Sequence, residues 1–298
     1  MYRLPKNYSG FIVRFCKFFK FPIRVQVGRV RLVLPFDDNG PKKLYSWSES
    51  WSRHLYELFL RENEGLFVDV GANLGQTLMD YLSLDPPGDY LGFEPNASCA
   101  GYIDQVIFEN QLNQCTCLCL CLGSERGYLS LLRKSIADSA ASVVEDLRPS
   151  RKQYPTVIPC ERFDDLVESM QIKKVGFIKI DLEGAEMDVL MGMKRTLSKD
   201  RPFVFCEVLF ADSDYDLSKK RARDAALENL LDSLGYSIFQ ISKDAQLKKV
   251  QCLKRIQTFA CDYFTKGNED DIDYVFVPSE RLSIVDAISA RLSKISDS

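Results

Sequence analysis

Short apolar runs at residues 66–70, 90–93, 175–181 and 203–209 each bring an acidic residue to, or just beyond, their C-terminal end: Asp69, Glu94, Asp181 and Glu207. Stretches of helical periodicity separate them, at 75–84, 99–110, 163–170, 185–197 and 217–234. Further strand-like runs lie at 115–122, 236–241 and 274–277. Alternation of strand and helix specifies a mostly parallel sheet with helices on both faces, here an α/β sheet of seven strands. In such a sheet the ligand crevice lies outside the carboxyl ends of the strands. The four acids are therefore expected to face one cleft.

The first of these strands runs into FVDVGANLGQT, residues 67–77. Gly71 permits a tight turn and Gly75 opens a helix. Glu94 follows Gly75 by about 20 positions, where an acid commonly holds a ribose hydroxyl pair. The turn lacks Gly-x-Gly-x-x-Gly and the Lys-Ser/Thr pair of a phosphate loop, which argues against a dinucleotide or ATP.

These segments resemble the FkbM-type family of class I S-adenosylmethionine-dependent methyltransferases. The resemblance rests on VDVGANLG (68–75), GFEPN (92–96), RFDDL (162–166), IKIDLEGAE (178–186) and RPFVFCEV (201–208), in that order, with a weaker echo at DYVFVPS (273–279). It covers about residues 50–210, and Ala97 departs from a common FEPNP continuation. It implies a Rossmann-like class I methyltransferase fold, S-adenosyl-L-methionine as cofactor, and O-methylation of a hydroxyl on a sugar, glycan or related small metabolite. It places Asp69, Gly71, Asn73, Gly75, Glu94, Pro95 and Asn96 at the cofactor, with Ser139, beside Asp138 and Ser142, as a further contact. Two other readings stay open: an RNA or protein methyltransferase on the same fold, or a non-catalytic nucleoside-binding scaffold.

A hydroxyl nucleophile must lose its proton, and His54 is the only imidazole, upstream of the cofactor strands. A carboxylate or Lys179 must then supply the base, and Asp181 is the first candidate, acting directly or through a divalent cation. Lys179 lies two residues before it, on the same side of the strand, and a lysine inside a sheet needs a partner. Glu207 is a further candidate at the cleft. Glu186 reads as helix punctuation favoured by the dipole, and Glu183 lies between the two roles. No metal set is assigned.

The alternating cysteines 115, 117, 119 and 121 read as one strand buried on both faces. Ten cysteines without a Cys-x-x-Cys pair suggest reduced thiols and a cytoplasmic location. Between 123 and 159 the rhythm breaks, with one strand at 127–132, and either a strand pair or a cover over the site fits. The 219–223 ribbon (KKRAR) reads as a solvated helix face.

With 39 basic against 42 acidic side chains, no nucleic-acid partner is expected. The division expected is an extension at 1–46, the catalytic domain at 47–278 and a C-terminal helix at 279–298. Within the extension, a hairpin spans 24–27 and 30–35. A basic amphipathic helix at 8–24 suits a membrane surface, its own domain or a partner subunit. A helix at 47–61 takes Ser46 or Ser48 as cap. The stripe Leu282, Val285, Ile288, Leu292 and Ile295 must bury itself on the domain or on a second subunit.

Overall fold

The computed structural model describes residues 22–28, 30–35, 50–84, 87–133, 154–182, 184–211, 215–244, 249–265, 267–268 and 271–296. The basic amphipathic segment 8–21 and the 137–142 loop lie outside them, as do the two serines considered as helix caps.

Alternating apolar residues give the hairpin of β1 (Ile23–Val27) and β2 (Val30–Leu34) one buried side. Helix α1 (Ser50–Leu60) leads to β3 (Leu66–Val70), α2 (Gln76–Leu82), β4 (Tyr90–Phe93), α3 (Ala97–Glu109) and β5 (Cys115–Leu118). A small second sheet contains β6 (Cys121–Leu122), β7 (Gly127–Arg133) and β8 (Tyr154–Glu161). The main sheet resumes after α4 (Phe163–Ser169) with β9 (Val175–Ile180). Helices α5 (Glu186–Gly192) and α6 (Lys194–Asp200) then lead to β10 (Phe203–Glu207). The chain closes with α7 (Leu217–Ser233), β11 (Tyr236–Lys243), β12 (Val250–Ile256), β13 (Asp273–Pro278) and α8 (Leu282–Ser296).

The main sheet has the order β12-β11-β13-β10-β9-β3-β4-β5. Strands β5, β4, β3, β9 and β10 run parallel; β13 is reversed between β10 and β11, so β11 shares their direction, and β12 is reversed again at the edge. The seven expected strands are present, and β12 adds an eighth at the edge. Its mixed Val250–Ile256 sequence lacks the apolar run that marks the others.

Side-chain alternation divides the core into two layers. Phe67, Phe177, Phe203, Phe205 and Val275 face the hairpin, α1–α3 and α8. Tyr56 of α1 meets Phe67, Phe177 and Phe205 edge-on, with ring centroids 5.3–5.8 Å apart. Val68, Val70, Ile178, Ile180, Val204 and Phe276 face the opposite layer of α4–α7. The hairpin shares the first layer and is clamped to α3 by Asn110. That side chain accepts from Val33 N at 2.6 Å and donates to Val33 O at 2.8 Å. Val285, Ile288 and Leu292 of α8 are buried in the same layer, so the helix packs on its own domain.

Two expectations are corrected. Residues 115–122 are not one strand: β5 ends at Leu118, a turn follows, and β6 pairs in the second sheet. Cys115 and Cys121 are buried, but Cys119 is exposed, because the turn carries it off the sheet. The 185–197 helix is two helices joined at Met193. Where the rhythm breaks, the structure shows an antiparallel pair, β7 and β8, joined through residues outside the description.

Candidate active site

The end of β3 and the end of β9 are locked together. Asp181 N donates to Val70 O at 2.9 Å, and the N–H groups of Gly71 and Ala72 donate to Phe93 O at 2.9 and 3.0 Å. Gly71 has φ of 88°, and a Cβ there would fall 2.1 Å from the carbonyl oxygen of Asp181. The glycine thus lets the turn press against the Asp181 backbone. Gly71→Ala is expected to force the two strand ends apart, adding steric overlap to left-handed strain and destabilising the fold by about 3 kcal/mol or more. Denaturant melts would check this, with Gly101→Ala as a control: it is a helical position with nothing near its Cβ, where alanine is expected to stabilise by about 0.5–1 kcal/mol.

The turn itself is tied to Glu94. Asn73, at φ 48°, donates its N–H to Glu94 Oε2 at 2.7 Å, and Asn96 N donates to Oε1 at 2.8 Å. Each carboxylate oxygen keeps one further acceptor position. Burial pushes the Glu94 pKa up to about 7; those two N–H groups pull it back, while Asp69 and Asp181 add to the rise. Pro95 is half-buried beside it, and the Asn96 side chain caps α3 by accepting from Ser98 N at 3.2 Å. Gly75 also has φ of 88° and precedes α2, but a Cβ there meets only ordinary contacts.

Asp69 is fully enclosed. Its Oδ2 accepts from the Tyr90 hydroxyl at 2.5 Å, while its Oδ1 is a buried oxygen with no partner. Burial pushes its pKa up to about 6, against the pull of Lys179 and the Tyr90 hydrogen bond. The folded state therefore holds this proton more tightly than the unfolded chain. The associated stability is present below the ordinary aspartate value of 3.8 and is lost as pH rises through about 6. Asp69→Asn is expected to stabilise the protein at pH 8 by on the order of 2 kcal/mol and to have little effect near pH 4. Thermal melts at both pH values check this.

Lys179 stands across from Asp69 in the β3–β9 register, and its Nζ lies 2.7 Å from Asp181 Oδ2. Burial alone would lower its pKa. Asp181, Tyr56, Glu207 and Asp69 outweigh that, so the pKa lies well above the ordinary value. The acids around Lys179 favour its cationic form. The side chain of Asp181 remains 41% exposed.

Glu207 sits at the end of β10, directly across from Asp273. Asp273 is buried and paired with Lys243, whose ammonium lies 4.8 Å from the centroid of the Trp51 ring. This extension was missed at the sequence level. The signal was present, because an antiparallel strand starts at the edge where the parallel strands end. The expected strand at 274–277 began one residue too late to include the acid.

Glu183 and Ser139, with Asp138 and Ser142, lie outside the described residues. Glu186 is buried and its Oε1 accepts from Gly184 N at 2.8 Å, which is the punctuation its position suggested. The 219–223 ribbon is not a simple solvated face. Lys220 is buried against Asp224 at 2.8 Å, Arg221 pairs with Glu228 at 2.6 Å, and Arg223 donates to the Tyr215 hydroxyl at 3.3 Å. Among the described residues no group of three or more His, Cys, Asp or Glu side chains is arranged to hold a metal ion, and no helix is long and apolar enough to cross a membrane.

The Methyltransferase FkbM domain family matches residues 69–238, from the acid of the turn to the middle of β11. Methyltransferase FkbM from Methylobacillus flagellatus KT aligns over 72% of this chain at 17% identity and a TM-score of 0.44. The alignment covers 43% of that structure, so the chain spans less than half its length. The O-methyltransferase from Bacillus cereus in complex with SAH aligns over 82% of this chain and 83% of its own, at 10% identity and a TM-score of 0.39. Trm1 from Pyrococcus horikoshii, with S-adenosyl-L-methionine, aligns over 88% and 64% at 12% identity and a TM-score of 0.38. No curated protein matches.

Proposed function

The chain belongs to the FkbM methyltransferase family, and from that premise we propose that it transfers the methyl group of S-adenosylmethionine to a hydroxyl oxygen of a sugar, glycan or related small metabolite. The observation that carries the reading is the joining of two functions at one edge. The Gly71–Gly75 turn is hydrogen-bonded to Glu94, and the same turn packs on the backbone of Asp181, whose side chain Lys179 holds.

The residues present fit the cofactor. Glu94 has a spare acceptor position on each oxygen, suited to two ribose hydroxyls. Asp69 Oδ1 is an unpaired buried acceptor next to the turn, suited to a cationic group. When bound, S-adenosylmethionine supplies an electrophilic methyl carbon on a sulfonium.

The chain's own part is to position and to move one proton. Asp181 Oδ1 takes the proton of the acceptor hydroxyl. The charged Lys179 fixes the carboxylate in place through Oδ2, so that Oδ1 is the free acceptor. Glu207 and the Asp273–Lys243 pair extend the same edge as polar groups for the neighbouring hydroxyls of a polyol.

Transfer of label from [methyl-³H]S-adenosylmethionine to a panel of glycans and sugar derivatives, beside an RNA pool and a protein extract, tests the acceptor class. Label in the glycan fraction is expected. Label confined to RNA or protein would replace the acceptor while keeping the cofactor.

A further inference from the structure

Cys121 and Cys160 are register partners in neighbouring strands of the second sheet, β6 and β8. Adjacent strands lie about 4.8 Å apart, inside the 4.4–6.8 Å window of Cα separations that a disulfide spans. The Cys121 thiol hydrogen-bonds to the Cys160 side chain and also reaches Pro159 O at 3.3 Å. A Cβ on Gly123 would fall 2.8 Å from Cys160 Sγ, so that glycine leaves room for the pair. Among the described residues, Leu131 and Ile158 complete the small cluster.

From this geometry we propose that Cys121 and Cys160 form an oxidative modification site, closing to a reversible cross-strand disulfide under a hydroperoxide. Cys160 is the attacking sulfur, since the hydrogen bond from Cys121 holds its pKa below the ordinary thiol value against the opposing effects of burial and of Glu161. Its thiolate displaces hydroxide from the peroxide O–O bond and becomes a sulfenic acid. The Cys121 sulfur then attacks Cys160 Sγ, the S–S bond forms, and the oxygen leaves as water. Two thiols are oxidised, one peroxide is reduced, and two waters result. A dithiol reductant reverses the step by exchange.

The bond would tie the short β6 to β8. Strand β6 lies just beyond β5, whose Leu118 carbonyl accepts from Glu94 N at 3.1 Å. On its other side the Gly123 carbonyl packs on Gly192 of α5, where a Cβ would come within 2.1 Å. Oxidation therefore stiffens a segment between the Glu94 strand end and the helix that follows Asp181. The enclosed loop is about 40 residues long, which in the chain-entropy account raises the melting temperature by about 5–10 °C.

The test uses the full-length protein, fully reduced and then exposed to a small molar excess of hydrogen peroxide. Free thiols are alkylated after denaturation, and a non-reducing digest is read by mass spectrometry. The expected result is a 121–160 linked peptide pair lighter by two hydrogens, lost on dithiothreitol treatment. The melting temperature should rise in the wild type but not in Cys121→Ser. Wild-type protein that keeps both thiols alkylatable would overturn the proposal, as would cross-links confined to other cysteines. Both outcomes are read on the wild type, so they stand even if the variant misfolds.

Discussion

Glu94→Gln is expected to weaken S-adenosylmethionine binding about 100-fold or more. Two charge-assisted hydrogen bonds to ribose hydroxyls, each contributing about 1.5–3 kcal/mol, become weaker or are lost. The amide adds a second fault. Both carboxylate oxygens accept backbone N–H groups, from Asn73 at 2.7 Å and Asn96 at 2.8 Å, and an NH2 group would face one of those donors. The pH dependence separates this account from a general loss of fold. A carboxylate raised to about 7 by burial must be deprotonated to accept from two hydroxyls. Cofactor affinity of the wild type should therefore fall as pH drops below about 7, approaching tenfold per unit. The glutamine variant should show no such slope. Equilibrium titrations between pH 5.5 and 8.5, with circular dichroism to confirm folding, measure both effects.

Asp181→Asn should leave cofactor binding within a few-fold of wild type and lower the methyl-transfer rate by about 10²–10⁴, the usual range for removing a general base. The asparagine keeps the backbone bond to Val70 and the shape that Gly71 packs on. It cannot take the acceptor's proton. Lys179→Met should behave differently if, as proposed, Lys179 only holds the carboxylate of Asp181, which lies 2.7 Å from its Nζ. Removing it leaves Asp69 and Asp181 without their shared cation. A moderate rate loss is expected, because the carboxylate is no longer held in place. Single-turnover rates across pH distinguish the two. A Lys179→Met variant as slow as Asp181→Asn would place the proton transfer on the lysine.

Much of this site was legible because its acids sit at strand ends, and strand ends follow from apolar runs. Asp69, Glu94, Asp181 and Glu207 came from that pattern alone, before any likeness to a family. The partners did not. The hydroxyl of Tyr90 on Asp69, and the clash that requires glycine at 71, depend on which strands are neighbours, and sequence order does not give that directly. Asn96 reads the same in sequence whether it holds a ligand or caps a helix; its bond to Ser98 N identifies the cap. The cysteine run misled because strict alternation is a local signal, while the break at Leu118 comes from β6 pairing with β8, about 40 residues away. The Lys219–Arg223 ribbon misled for a related reason. Its charges looked solvated, but Lys220 has its counter-charge one helical turn on, at Asp224, and the two are buried together.

The central claim is that the Gly71–Gly75 turn and Glu94 bind S-adenosylmethionine. Isothermal titration calorimetry of the purified wild-type chain at pH 8 tests it most directly. The account predicts saturable heat with one site per chain, much reduced in Glu94→Gln. Folded wild-type protein that gives no saturable heat would contradict it.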